Sequence, residues 1–547
     1  MVKKLLYLTS ALGLLSTAFI ISLGLSLYFG WITPEKIRLL LKYNPNVTST
    51  LPVVSESIIQ TNFYSLLRRE IALASLNKDF ISGGGAIAET NKGILIAEKS
   101  GRFFFLDQNE FQEPRLRLTS INIDINQRGF TRDAKKEGYA IKPGLNVGYA
   151  GLGMRLHDLL LLSDKKSLMA SFTRWKDGGS CAELVFAIAK FNQNEELPTS
   201  GAWKEVFVTT PCLGFGPQKN KPFAGHQAGG RIIELDNGAV LVSVGDFKND
   251  GDKRSLTTAD PANSYGKTHL INLRTGKIQK NYTTGHRNPQ GLTRRQNGEI
   301  WSTEHGPTGG DEVNIIKFGA NYGWPKVTLG KDCNGCDWQL EGRHEGYEKP
   351  KWAFVPSIGI SNLIEIKNFA SLWDGDILVS SLKAETLYRI RLDGDQPIYA
   401  SPVHIGERIR DIIQLRDRTI ALWSDSGKII FLRPSNATTP ADALIETLEP
   451  AVREVVRECS VCHALNPTSS TNNQLSLWGV VGRNFGSDPN FNYSEALSKK
   501  NGYWTEKELN KFLESPALAI PGTTMAYSGI SDEATRRAII DFLIQLK

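Results

Sequence analysis

The sequence lacks the features that mark several specialised classes of protein. No run of lysines and arginines resembles a nucleic-acid patch, and a net charge of +7 is mild for 547 residues, so we set nucleic-acid binding aside. Apolar residues make up 41% of the chain and glycines number 50, which excludes a disordered polypeptide and indicates a turn-rich globular one. The length predicts two to four domains.

Long apolar runs are also scarce, but one stands at the N-terminus. It extends from Leu5 to Ile32 without a charged residue and follows Lys3 and Lys4. This exceeds the roughly 20 residues that a helix needs to cross a bilayer. The run therefore predicts an uncleaved transmembrane anchor at residues 1–33, with the lysines in the cytoplasm. The rest of the chain would then lie in the periplasm, tethered to the inner membrane. A cleaved signal peptide is the alternative.

Cysteine is sparse, with six in the chain, and its distribution fits export. Cys181 and Cys212 are a plausible loop-closing disulfide in an oxidising compartment. Cys333 and Cys336 form a C-x-x-C pair, but Asp337 follows where haem attachment would require histidine. For this pair a short disulfide is the expectation and a redox role is the alternative.

A turn signal followed by an apolar run with strand character recurs six times between residues 77 and 434. The copies are Asn91–Ser100, Asp164–Thr173, Asn237–Asp246, Asn297–His305, Asp374–Lys383 and Asp417–Ser426. Their spacing of roughly 40 to 75 residues is typical of radial repetition, as in propellers of four-stranded blades. The fold class predicted is therefore mainly β, a six-bladed β-propeller; an irregular pair of β-sandwiches is the alternative.

Helical periodicity returns after the propeller. Thr505 and Asp532 stand where amphipathic helices would be capped, so a small all-α domain is predicted at residues 449–547. Residues 435–448 are then a linker, and residues 34–76 are a spacer between the anchor and the propeller.

The α-domain begins with a c-type haem attachment sequence. Cys459 and Cys462 lie one helical turn apart, where their thiols reach two vinyl groups, and His463 reaches the iron from the same turn. Some sixty residues later, Met525 lies in a predicted loop, where its thioether could complete the iron coordination. Ligation by histidine and methionine raises the reduction potential, which suits an electron acceptor.

Residues from Cys459 to Lys547 resemble class I cytochrome c. The resemblance implies that Tyr493 and Trp504 hydrogen-bond a haem propionate. The chain departs from the usual Gly-Pro of this family at Leu475, whose carbonyl could still orient the ligating histidine.

Three segments of the predicted propeller are unusually rich in polar groups beside glycine and proline. They are Gly285–Leu292 (GHRNPQGL), Glu304–Glu312 (EHGPTGGDE) and Asn321–Pro325 (NYGWP). They resemble the soluble aldose and glucose dehydrogenases that depend on pyrroloquinoline quinone (PQQ), which are six-bladed propellers. The similarity extends, more loosely, from Gly83 to Pro434.

The resemblance implies a role for each matching residue. His226, in the string GHQAGGR, would be the general base that takes the proton of the hydroxyl group being oxidised. Arg287 and Asn288 would donate hydrogen bonds to the quinone oxygens, where negative charge grows.

The same resemblance implies how the cofactors are held. The backbone carbonyls of Gly306 and Pro307 would bind Ca²⁺, a hard cation that prefers oxygen ligands. Lys383, Arg408 and Arg410 would bind the three carboxylates of PQQ.

The combined expectation is a quinohaemoprotein oxidoreductase. It would oxidise an aldose sugar or related alcohol with PQQ and Ca²⁺, pass the electrons to its own haem c and then to a respiratory acceptor. Two alternatives remain open: a propeller without PQQ that serves as a docking module for the cytochrome, and a Ca²⁺-dependent, lactonase-like hydrolase.

Overall fold

The computed structural model describes most of the chain after the first 53 residues. The described residues are 54–61, 64–77, 80–107, 113–136, 153–176, 178, 181–214, 225–248, 260–331, 342–435, 441, 444–445, 447–465, 475–489, 491–525 and 527–546. Within these ranges no helix is long and apolar enough to cross a membrane. The predicted anchor at 1–33 lies outside them, as do Cys333 and Cys336.

Six antiparallel sheets of four to six strands dominate the structure. The first sheet contains β3 (Gly85–Glu89), β4 (Gly93–Glu98), β5 (Arg102–Asp107) and β6 (Leu116–Asn122). The second contains β7 (Leu156–Leu161), β8 (Ser167–Lys176), β9 (Cys181–Asn192), β10 (Thr199–Ser200), β11 (Lys204–Val208) and β12 (Leu213–Gly214). The third contains β13 (Gly229–Glu234), β14 (Ala239–Val244), β15 (Lys267–Asn272) and β16 (Ile278–Thr284).

The other three sheets follow in chain order, and the last includes two strands from the start of the described chain. The fourth sheet contains β17 (Pro289–Arg294), β18 (Ile300–Glu304), β19 (Asp311–Ile315) and β20 (Trp352–Phe354). The fifth contains β21 (Ile360–Glu365), β22 (Ile377–Ser381), β23 (Thr386–Asp393) and β24 (Gln396–His404). The sixth contains β25 (Ile409–Gln414), β26 (Ile420–Ser424), β27 (Lys428–Pro434), β2 (Ser65–Ala72) and β1 (Val54–Gln60).

The first strand of each sheet packs against the first strand of the next, and β25 packs against β3, which closes a ring. This arrangement confirms the six-bladed propeller. Each of the six predicted repeats falls on the second strand of a blade. In four of these strands, β4, β18, β22 and β26, every residue is buried. Strands buried on both faces carry the near-continuous apolar runs from which the repeat was recognised.

The predicted spacer at 34–76 needs correction. β2 pairs with β27, so Leu67 lies opposite Arg433, and β1 pairs with β2. The last blade is therefore completed by strands from the opposite end of the propeller sequence. β1 is mostly exposed and polar, which hid its strand character in the sequence.

The ring is also joined by a buried polar cluster at its centre. Arg231 on β13 donates Nη1 to Asp158 Oδ1 at 2.9 Å and to Asp411 Oδ1 at 2.8 Å. Asn362 donates to the same oxygen of Asp411, at 2.7 Å, and the Ile87 amide donates to Asp411 Oδ2 at 3.1 Å. The first strands of five blades thus contribute side chains or backbone amides to one network. The first strand of the remaining blade, β17, joins it through a backbone carbonyl described below.

The C-terminal residues form a separate apolar core made by helices. Two short helices precede it in the chain, α1 (Leu73–Leu76) and α2 (Gln127–Lys136), and its own are α3 (Pro450–Cys462), α4 (Glu495–Ser498), α5 (Glu506–Glu514), α6 (Pro516–Ala519) and α7 (Glu533–Gln545). Both predicted caps are present: Thr505 Oγ1 accepts from the Glu508 amide at 3.2 Å, and Asp532 accepts from the Thr535 amide at 2.7 Å. Two short parallel strands, β28 (His463–Ala464) and β29 (Leu475–Ser476), complete this domain.

Candidate functional site

A polar cavity of about 510 Å³ opens at one end of the propeller ring. Its walls come from the segments that enter the first strand of a blade and those that leave the second strand. The lining residues are Ile81, Gly83, Lys99, Ser100, Gln127, Met154, Arg155, Gly225, His226, Gln227, Lys248, Arg287, Asn288, Gln290, His305, Gly306, Pro307, Arg408 and Arg410. The structure thus brings together seven of the eight residues predicted for this site.

His226 lies in the segment that enters β13. The adjacent backbone is tightly packed, because a Cβ on Gly153 would lie 2.1 Å from the Gly225 Cα. Gln227 follows with a φ of 60°, a left-handed conformation that non-glycine residues rarely adopt and that is common at functional sites. Burial lowers the pKa of His226 to about 4, and the positive charges of Lys248 and Arg155 add to this effect. The imidazole is therefore neutral at physiological pH.

Arg287 is held on several sides. Its Nη1 donates to the Gly306 carbonyl at 2.8 Å and to the His305 carbonyl at 3.1 Å. With the Gln227 amide oxygen facing it, Nη2 donates to that oxygen at 2.8 Å. The guanidinium also lies 5.3 Å from the ring centroid of Trp324, within cation–π range. Few side-chain rotations remain open to it, so its donors are fixed at the cavity wall.

Glu304 orders the loop that carries Arg287 and Asn288. Its carboxylate accepts from the backbone amides of both residues and from Nδ1 of His286 at 2.9 Å. His286 is fully buried, with Nε2 2.7 Å from Thr283 Oγ1. His286 is thus a structural residue.

Gly306 and Pro307 line the cavity next to Arg287. The Gly306 amide donates to Asp311 Oδ1 at 3.1 Å, which fixes this turn. Burial alone would raise the pKa of Asp311, but hydrogen bonding to His305 and Ser357 outweighs it and lowers the pKa to about 2. Within the described ranges, no group of three or more His, Cys, Asp or Glu side chains could hold a metal ion, so any cation here would depend on carbonyl oxygens.

Arg408 and Arg410 share one acidic partner. Arg408 Nε lies 3.2 Å from Asp425 Oδ2, and Arg410 donates to both oxygens of this carboxylate at 3.0 and 2.8 Å. Arg410 is the second residue of β25, and the i, i+2 spacing places both guanidinium groups on the same side, as predicted for extended backbone.

Lys383 is the one predicted residue that does not line this cavity. It is exposed, in the turn that follows β22. The turn is fixed to the preceding segment, since the Lys383 amide donates to the Ile358 carbonyl at 3.0 Å. The Leu382 carbonyl is nevertheless 3.3 Å from Arg408 Nη1, so Lys383 is a neighbour of the cavity.

Three cations in the cavity wall were missed by the sequence analysis: Lys99, Arg155 and Lys248. None lies in a polar motif. Lys99 and Lys248 follow β4 and β14, the second strands of their blades, and Arg155 precedes β7, a first strand. The sequence did offer one signal for them: each lies just after the second strand or just before the first strand of a blade, and the repeat pattern locates those strands.

A second cavity, of about 370 Å³, lies within the C-terminal domain and is mostly apolar. All six residues predicted for haem line it: Cys459, Cys462, His463, Tyr493, Trp504 and Met525. The two thiols lie at the end of α3. His463 Nδ1 is 3.2 Å from the Leu475 carbonyl, so the substituted residue does supply the expected acceptor. The cavity thus brings two thiols, an imidazole and a thioether together within an apolar lining, a set of groups that fits haem c.

The disulfide predicted between Cys181 and Cys212 is present and joins β9 to the segment before β12. It closes a loop with a sequence separation of 31 residues.

Comparison with known proteins identifies the propeller. The sequence model of the Glucose / Sorbosone dehydrogenase family matches residues 86–433. The chain belongs to this dehydrogenase family. Its propeller is 27% identical over 305 residues to an aldose sugar dehydrogenase of Escherichia coli, an alignment that covers 51% of this chain and 77% of that one. An Escherichia coli aldose sugar dehydrogenase solved in the apo-form shares the fold, with a TM-score of 0.52 and 20% identity over 70% of this chain and all of the other.

The C-terminal domain of this family member is a cytochrome c domain. It is 37% identical over 90 residues to cytochrome c2 of Rhodomicrobium vannielii, which covers 16% of this chain and 72% of the cytochrome. An uncharacterised Synechocystis protein is 30% identical over 238 residues, and the chain spans 57% of its length.

Proposed function

We propose that the propeller oxidises the hydroxyl group of an aldose sugar or related alcohol with PQQ, and that the cytochrome domain receives the electrons. The observation that carries this proposal is the meeting of His226, Arg287 and Asn288 in one cavity whose wall is rich in fixed cations. Membership of a dehydrogenase family and the cytochrome c domain on the same chain support it.

The cavity fits a polyanionic redox ring. Six cationic side chains line it, and among the described lining residues there is no aspartate or glutamate. Asp425 compensates one charge of the Arg408 and Arg410 pair, and the remainder would attract the three carboxylates of PQQ. Arg408, Arg410, Arg287 and Asn288 would hold the cofactor.

Calcium is part of the same proposal. The Gly306 carbonyl accepts from Arg287 with one lone pair, and a carbonyl oxygen has a second. Gly306 and Pro307 would supply two of the six to eight oxygens that Ca²⁺ takes, with cofactor and water oxygens completing the set.

His226 is the base in this mechanism. Oxidation of a CH–OH group to C=O removes one proton from oxygen and one hydride from carbon. His226 takes the proton on its neutral imidazole, which the low pKa keeps available well below pH 7. When bound, PQQ supplies the acceptor for the hydride. The donors of Arg287 and Asn288, already fixed by their own partners, stabilise the negative charge that develops.

The cytochrome domain would hold haem c covalently through Cys459 and Cys462, and His463 and Met525 would bind the iron. Haem supplies a one-electron acceptor, so the two electrons of each oxidised sugar leave one at a time. Fusion of both sites in one chain raises the effective concentration of the acceptor. We further propose that the chain is anchored in the inner membrane by residues 1–33, with both sites in the periplasm and a respiratory protein as the next acceptor.

Reconstitution tests this function. The full chain, carrying covalent haem, is incubated with PQQ and Ca²⁺ and then given a panel of aldoses and alcohols while haem absorbance is followed. We expect haem reduction that needs both PQQ and substrate. Arg287→Ala should lower turnover about 10²–10³-fold, the usual effect of losing a donor to a developing oxyanion.

Two outcomes would overturn the proposal. Failure of PQQ to bind, with no haem reduction by any substrate, would favour a docking module. Hydrolysis of lactones with an unchanged haem spectrum would favour a hydrolase. Chelation of Ca²⁺ should abolish the dehydrogenase activity, and its addition should restore it.

A further inference from the structure

We infer that Arg155, with Lys99 and Lys248, forms an oxyanion-binding subsite beside His226, so that the substrate is a sugar that carries a phosphate or carboxylate group. The inference rests on the proposed function and names its substrate class.

Among the described residues, no carboxylate lies within ion-pairing distance of Lys99, Arg155 or Lys248, although most arginines on the neighbouring blades have one. Burial lowers the pKa of both Arg155 and Lys99, and neighbouring arginines lower it further, while the more distant negative charge of Asp425 offsets only part of this effect. A buried cation without a counterion is costly unless a ligand supplies the negative charge.

The fold places two of these cations side by side. The Leu156 amide donates to the Lys99 carbonyl at 3.0 Å, which joins the turn after β4 to the segment entering β7. Gly84 lies between the two side chains, since a Cβ there would be 3.3 Å from Lys99 Cβ and 3.5 Å from Arg155 Cδ. Both cations therefore face one place in the cavity wall, between the first two blades, and Arg410 and Asp425 of the last blade are near enough for their charges to act on Arg155.

Their position relative to the base favours substrate over cofactor as the ligand. Arg155 and Lys248 line the same cavity as His226, and their positive charges contribute to the lowered pKa of its imidazole, so both lie near the place where the hydroxyl group would be deprotonated. Lys248 has a φ of 65° and follows Phe247 with a φ of 51°, two successive left-handed residues that aim this turn at the cavity.

Charge balance leads to the same conclusion. Six cations line the cavity, Asp425 compensates one, and the three carboxylates of PQQ compensate three. Two positive charges remain, which matches one phosphate dianion, and Ca²⁺ would add to the excess. A neutral sugar would leave this charge unbalanced within a partly desolvated site.

The experiment compares anionic with neutral sugars on the PQQ-loaded, haem-containing full chain. Glucose 6-phosphate and glucuronate are the anionic probes, glucose is the neutral one, and kcat/KM is measured by haem reduction. We expect kcat/KM to favour an anionic probe by about tenfold or more, mainly through KM, because charge-assisted hydrogen bonds to a guanidinium are strong. The preference should shrink as NaCl is raised.

Substitutions test whether these residues cause the preference for anionic sugars. Arg155→Gln should lower the ratio of anionic to neutral kcat/KM about tenfold or more, and Arg155→Lys should keep part of it. Lys204→Gln, which removes an exposed cation on the outer strand β11, is the matched control and should leave the ratio unchanged. Calorimetric titration of the PQQ-loaded protein with glucose 6-phosphate gives a second readout that does not depend on turnover.

Outcomes other than the expected one would contradict the inference. Equal or better use of glucose, with a ratio insensitive to Arg155→Gln, would overturn the subsite while the dehydrogenase function survived. A loss of PQQ affinity in Arg155→Gln, with the ratio intact, would assign Arg155 to the cofactor. If no sugar reduces haem, the dehydrogenase function proposed above is wrong. In that case, calorimetric binding of glucose 6-phosphate would still support the anion-binding subsite, and no binding would contradict the subsite as well.

Discussion

The central cluster of the propeller yields a stability prediction whose magnitude follows from its contacts. Arg231→Met removes a guanidinium that is almost fully buried and that donates to Asp158, Asp411 and two backbone carbonyls. The substitution leaves two buried carboxylates facing each other without a cation. Breaking a buried pair in this way costs about 3–5 kcal/mol, out of a total unfolding free energy of about 5–15 kcal/mol.

The pH dependence of this cost has a definite sign. Burial raises the pKa of Asp158 to about 6, above the roughly 3.9 of an unfolded aspartate. This carboxyl group therefore favours the folded state fully below about pH 4, and that contribution is lost as pH rises through 6. In Arg231→Met the repulsion between the two carboxylates should disappear on protonation. The difference between variant and wild type should be smaller at pH 5 than at pH 8.

Guanidinium chloride unfolding, followed by tryptophan fluorescence for the propeller and haem absorbance for the cytochrome domain, measures this effect. Arg294→Met is the matched control, because Arg294 pairs with Asp236 at the surface, where ion pairs contribute about 0–1 kcal/mol. If Arg231→Met lowers the unfolding free energy no more than Arg294→Met, the cluster does not stabilise the ring as reasoned.

Other substitutions test other parts of the molecule. His226→Gln should lower kcat/KM about 10²–10⁴-fold, and the wild-type pH–rate profile should fall only towards pH 4; a midpoint near 6.5 would contradict the lowered pKa. Met525→Leu should lower the haem potential in a redox titration while dye-linked sugar oxidation persists. Burial raises the pKa of Glu312 to about 8, so stability should fall as pH rises from about 4.5 through 8, and Glu312→Gln should flatten this dependence in thermal melts. Cys212→Ser should lower the unfolding free energy about 2–5 kcal/mol, with no effect under reducing conditions.

The parts of the fold that the sequence predicted are those with local signals. Each repeat was found because the second strand of a blade is buried and follows a turn. The strand Ser65–Ala72 gave no such signal, because its partner, Lys428–Pro434, lies some 360 residues later. Its pairing depends on closure of the ring, a non-local event that no local pattern records.

The residues of the candidate site were likewise predicted only where the sequence carries a local signal. Motif residues such as His226, Arg287 and Arg410 were predicted because each lies in a distinctive polar string. Arg155 was missed because its own segment is unremarkable and its role arises only where separate blades meet. Lys383 was predicted in the same way as the motif residues; it lies in a turn next to the cavity, and its role towards the cofactor stays a prediction.

The central cluster also connects stability to the site. Arg231 Nε donates to the Gln290 carbonyl at 2.6 Å, and Nη2 donates to the Arg410 carbonyl at 3.0 Å. Gln290 and Arg410 both line the polar cavity. The same guanidinium that joins the blades therefore fixes the backbone of two residues in the cavity wall, one of which, Arg410, is proposed to bind the cofactor. Because a ligand that binds only the closed ring stabilises it by mass action, affinity for the proposed cofactor would be coupled to ring closure through Arg231.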